Sequence, residues 1–186
     1  MRTYRSLSAS LGGVVAACLL AFGAAAPAFA VDPPVLVRFD GGIGSQPLRA
    51  GATPDDSASN RVFGVQPGGV PWVIEDLKAL IRVDGSVQIK GEGLLLGGTN
   101  NIGTRGGTEN VRARLFCGGI AHTSAPFPLE ADGDFTIKGT LTPALAPPPT
   151  VCENPVLLIL NDAGATPAAD RWFAAGILKP KAPKAP

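Results

Sequence analysis

The chain has one histidine, one methionine and one tyrosine in 186 residues, and its three cysteines show no Cys-x-x-Cys spacing. A zinc site of the common multi-histidine type is therefore excluded, and any histidine-based catalysis must run through His122. Charged residues make up only 17% of the chain, with 16 basic side chains against 15 acidic. Such a balance gives no broad field for nucleic acid or anionic lipid, whose recognition normally shows as clustered Lys and Arg. There is no Gly-x-Ser-x-Gly elbow, and GGTNNIGTRGG at 97–107 has neither the Lys-Ser/Thr ending of a phosphate loop nor a following helix. No cofactor motif is present. Few segments sustain the 3.6-residue apolar period over three turns, which argues against a helical fold.

What is present begins with the first thirty residues. Arg2 and Arg5 precede an apolar run from Leu11 to Ala26, and Ala28-Phe29-Ala30 closes it. This pattern predicts a secretory signal peptide over 1–30, cleaved between Ala30 and Val31. The run is shorter than the roughly 20 residues that span a bilayer, so no transmembrane segment is expected in the mature chain. Cleavage removes Arg2, Arg5 and Cys18, leaving 14 of the 16 basic residues against all 15 acidic ones. Cys117 and Cys152 then remain as an even pair in an oxidising compartment, and a disulfide between them is expected.

The rest of the chain alternates short apolar stretches with turn residues. Leu77, Ala79, Ile81 and Val83 alternate before Asp84-Gly85, and Val87 and Ile89 alternate after it. That is a hairpin signature; the same EDLKALIRV segment could make only two helical turns, which are marginal alone. Further strands are expected at 35–39, 61–65, 72–77, 93–98, 111–117, 135–141 and 172–178, with 41–60 as a surface loop. PVLLIL at 155–160 is apolar almost throughout, as in a central strand covered on both faces. The proline-rich ALAPPPT at 144–150 is expected at an edge or end of the fold. The predicted fold is all-β, a single antiparallel β-sandwich or β-barrel of roughly eight strands over 31–178, followed by a Pro/Lys/Ala-rich tail at 179–186.

The best binding-loop candidate is 97–110, where Gly and Asn permit tight turns and Asn100, Asn101, Thr104 and Arg105 could meet a ligand. Catalytic candidates are sparse. His122 and Ser124 would share a face in a strand, Glu130 and Asp132 are spaced carboxylates, and Asp132-Gly133-Asp134 lacks the further oxygen ligands of a calcium loop. Lys179, Lys181 and Lys184 in the tail could give a weak contact with an acidic envelope polymer. RFDGGIG at 38–44, LLLGGTNNIGT at 94–104 and WFAAGI at 172–177 resemble stretches of uncharacterised secreted bacterial proteins. The resemblance implies export and carries no catalytic or binding residue with it. The expectation is a secreted or periplasmic, non-catalytic binding or structural domain; the opposing reading is an extracytoplasmic hydrolase using His122 or paired carboxylates. Expression of the full chain in a secreting host should yield a product whose intact mass and N-terminal sequence begin at Val31; a mass retaining residues 1–30 contradicts the leader assignment.

Overall fold

A computed structural model of the chain describes residues 32–50, 57–142, 151–164, 166 and 169–179. The predicted signal peptide, the ALAPPPT segment and residues 180–186 lie outside the described residues. Where apolar and polar residues alternate, strands form: β1 (Val35–Gly44), β6 (Asp76–Arg82), β7 (Ser86–Glu92), β9 (Asn110–Cys117), β10 (Ile120–Thr123) and β12 (Phe135–Thr140). With β13 (Val156–Asn161) and β14 (Arg171–Leu178) they build one sheet in the order β10-β9-β13-β14-β1-β6-β7-β12, all neighbours antiparallel. The sheet curls into a half-barrel. Its two ends are joined by isolated bridges, Thr123 to Thr142 and Leu129 to Phe135.

Curling gives the sheet an inner and an outer face, and the two-residue period assigns each side chain to one of them. Phe39, Ala79, Ile89 and Ile137 stand opposite one another across β1, β6, β7 and β12, and all four point into the core. The β6–β7 hairpin forms as expected. Gly85 has a φ of 82° and donates its N–H to Arg82 O at 3.0 Å, while Asp84 Oδ1 accepts from Ser86 N at 2.9 Å. Gly44 is needed for a different reason, since a Cβ there would overlap the Trp72 carbonyl.

β13 behaves as its continuous apolar sequence predicts. Leu157 and Ile159 lie in the interior core, whereas Leu158 and Leu160 join Phe116 and Trp172 in a second cluster on the outer face. Val62 and Val65 pack against this cluster; they lie between β3 (Ser57–Ser59) and β4 (Gln66–Pro67), with β2 (Leu48–Ala50) earlier in the chain. Residues 41–60 are thus not a simple surface loop: β1 continues to Gly44, and β2 pairs with β3. Nor is 61–65 a regular strand. Val62 and Val65 bridge across a two-residue turn, Phe63 takes a φ of 46°, and its ring stacks on Phe116 at 4.5 Å. Stacking on a fixed neighbour compensates a backbone conformation that Phe disfavours.

In the 93–98 segment only β8 (Leu95–Leu96) is a strand, paired with β5 (Trp72–Val73). Expected strand 72–77 divides accordingly between β5 and β6. β11 (Phe127–Pro128) pairs with the start of β9. Cys117 and Cys152 form the expected disulfide, with Cα atoms 4.9 Å apart and a sequence separation of 35. In the chain-entropy account this link contributes about 3 to 4 kcal/mol, much of a typical domain's margin. The double variant Cys117→Ala/Cys152→Ala should lose about 3 kcal/mol in urea denaturation; an unchanged unfolding free energy contradicts that account.

Candidate functional site

The 97–110 loop folds largely on itself. Thr104 Oγ1 donates to Asn101 O at 2.8 Å and accepts from Gly106 N at 3.2 Å. Arg105 reaches across to donate from Nη1 to Leu129 O at 2.6 Å, fastening the loop near the seam of the half-barrel. Asn100 and Asn101 remain exposed. Thr104 is exposed as well, so three of the four sequence candidates face solvent, while Thr104 and Arg105 have polar groups engaged in holding the loop.

The catalytic candidates are engaged as well. His122 is buried and stands opposite Leu115, which places it on the inner face of the sheet. Ser124 is also buried, and its Oγ donates to Ala125 O at 2.7 Å while accepting from Ala113 N at 3.0 Å. A hydroxyl holding two backbone groups in this way replaces ladder hydrogen bonds where β10 ends. Asp132 Oδ1 accepts from Asp134 N at 3.1 Å, and Asp134 Oδ1 accepts from Gly93 N at 3.1 Å. Both carboxylates cap turn amides. Among the described residues no group of three or more His, Cys, Asp or Glu is placed to hold a metal ion.

A site with a different character lies on the outer face of β1, β6, β7 and β12, directly over the Phe39–Ala79–Ile89–Ile137 ladder. Two rows of outward side chains flank it. Arg38, Leu80, Gln88 and Lys138 are successive cross-strand neighbours in one row; Asp40, Lys78, Lys90 and Thr136 are so in the other. The twisted sheet hollows between them into an open groove of about 530 Å³ that Lys179 also borders. With strands about 4.8 Å apart, the groove crosses roughly 14 Å from β1 to β12.

Each ammonium group of the second row has a carboxylate beside it. Lys78 Nζ meets Asp76 Oδ2 at 2.7 Å, and Lys90 Nζ meets Glu92 Oε1 at 2.5 Å. Lys179 Nζ lies 2.5 Å from Asp40 Oδ2, so the one described lysine of the tail belongs to the groove. The hydrogen bond with Asp76 holds Lys78 above the ordinary lysine pKa, and that with Glu92 does the same for Lys90. Asp76 is correspondingly lowered by its bond from Lys78. Lys78 and Lys90 thus stay protonated throughout the neutral range, each beside an ionised carboxylate.

Local spacing in the sequence does not bring these residues together, because they lie on four strands spread from Arg38 to Lys138. Asp84-Gly85 marks the hairpin, but a two-residue turn counted outward sets Lys78 against Gly91; the loop of the structure takes in 83–85, with Ile81 opposite Val87, and that register sets Lys78 against Lys90. No protein-family model, curated protein or solved structure matches this chain. No helix among the described residues is long and apolar enough to cross a membrane. Arg105→Ala should lower stability by about 1 to 2 kcal/mol, since it leaves a carbonyl unpaired. Asn100→Ala and Asn101→Ala should each stay within about 0.5 kcal/mol in the same denaturation experiment; equal losses at all three positions contradict the division of roles.

Proposed function

We propose that this is an exported, non-catalytic binding module that holds its ligand in the groove over β1, β6, β7 and β12. The observation that supports the reading is the groove itself, with polar and charged side chains from four strands above a continuous buried ladder. Positions on a hydrogen-bonded sheet are fixed before a ligand arrives, so little ordering accompanies binding. Asn100 and Asn101 offer a smaller, separate contact surface on the 97–110 loop. Export is supported by the charged and apolar pattern of residues 1–30 and by the Cys117–Cys152 bridge, a linkage that persists in oxidising compartments.

A binding module is stabilised by its ligand and returns it unchanged. Thermal denaturation of the purified mature protein against panels of sugars, metal ions and lipids should reveal one class that raises the melting temperature. At a hundredfold excess over Kd the gain is about 2.7 kcal/mol, several degrees for a domain of this size. Mass spectrometry should recover that ligand intact. No shift with any class, or conversion of the ligand, contradicts the proposal.

A further inference from the structure

Every lysine among the described residues faces one groove: Lys78, Lys90, Lys138 and Lys179 all line it, together with Arg38. Other arginines hold the frame. Arg82 donates to Pro33 O, Arg105 to Leu129 O, Arg112 pairs with Asp162, and Arg114 pairs with Asp170. A near-neutral chain has thus gathered all its described lysines on one patch of its surface.

The placement within the patch carries more. Lys78 stands directly opposite Lys90, and Asp76 directly opposite Glu92. Like charges at directly opposed positions destabilise a hairpin, and exchanging Lys90 with Glu92 would turn both pairs attractive. A local rule broken without any gain in folding marks a position held for another purpose. Here the result is two lysines at directly opposed positions on the two central strands of the groove. Both lysines are well exposed and their carboxylates partly so, so these ion pairs are weak and open to exchange with an incoming anion.

Resting on the binding-module reading, we infer that the groove binds anionic glycans, linear polysaccharides carrying a carboxylate or sulfate on repeating sugars. The outward rows contain no aromatic side chain, which removes the stacking platform used for single-stranded nucleic acid. Leu80 is their one apolar member, too little to seat an acyl chain. Gln88 and Thr136 supply neutral donors and acceptors that suit sugar hydroxyls. Lysines act as dispersed point charges, and those of this groove match anionic groups spaced along a chain over roughly 14 Å.

The test is titration of the mature full-length protein with polygalacturonate and with heparin, which separate carboxylate from sulfate. Dextran, single-stranded DNA and phosphatidylglycerol vesicles run in parallel. At least one anionic glycan should bind, weakening with added salt, while dextran should not. Lys78→Gln/Lys90→Gln should lower that affinity about tenfold, from the loss of two close charge contacts. Its melting temperature should change little, because loss of the Lys78–Lys90 opposition and loss of two weak exposed ion pairs offset one another. Equal affinity of the double variant moves the anion site elsewhere and overturns the assignment. Tighter binding of DNA or vesicles than of either glycan overturns the ligand class. Silence of both glycans alongside stabilisation by another ligand overturns this inference and leaves the binding module standing; silence of every probe overturns both.

Discussion

The structure depends on the burial of one strand from both sides. β13 lies between β9 and β14, and its residues Leu157 to Leu160 are all inaccessible to solvent. Leu157 and Ile159 face the interior, so the sheet must curl around them. Leu158 and Leu160 face outward, so something must cover them, and Val62 and Val65 pack against their cluster. Trp172 Nε1 fastens this covering stretch by donating to Asn60 O at 2.9 Å. Fully burying a leucine side chain contributes about 1.5 to 3 kcal/mol, which makes this one strand a large part of the fold's stability.

Covering one half of the outer face fixes the character of the other. Beside β13, the outward residues of β9 are Arg112 and Arg114, drawn into ion pairs with Asp162 and the buried Asp170. Arg114 also donates from Nε to Thr123 Oγ1 at 2.9 Å. Charges under cover need such partners, since an unpaired buried charge is strongly destabilising. Across β1, β6, β7 and β12 no described segment lies over the charged rows, and the outward side chains meet water. The described lysines collect there. A single sheet therefore carries a covered half and, among the described residues, an open charged half.

Much of this frame was legible in the sequence. Strict alternation at Leu77–Ala79–Ile81 and at Val111–Ala113–Leu115 identified interior positions because a curled sheet buries one face of each strand. The unbroken run in PVLLIL identified the doubly covered strand for the same reason. The covering stretch was hidden, because its tightest turn places Phe63 at a positive φ where turn chemistry calls for Gly or Asn. At Thr104 and Arg105 the composition of the 97–110 loop did not show that both side chains also hold the loop together, because turn formers look alike whether they present a side chain or close the turn. The groove stayed hidden because its members meet only when sheet order is known. Lys78 and Lys90 share a hairpin that Asp84-Gly85 marks, yet their opposition follows from the three-residue loop at 83–85 that the structure shows.

Native-state hydrogen exchange tests the central claim most directly. The amides of Leu157 to Leu160 should exchange only through global unfolding, with the highest protection in the molecule, while parts of the β6–β7 hairpin open at lower free energy. Exchange of Leu157 to Leu160 through local opening, at or below the protection of that hairpin, would contradict the account.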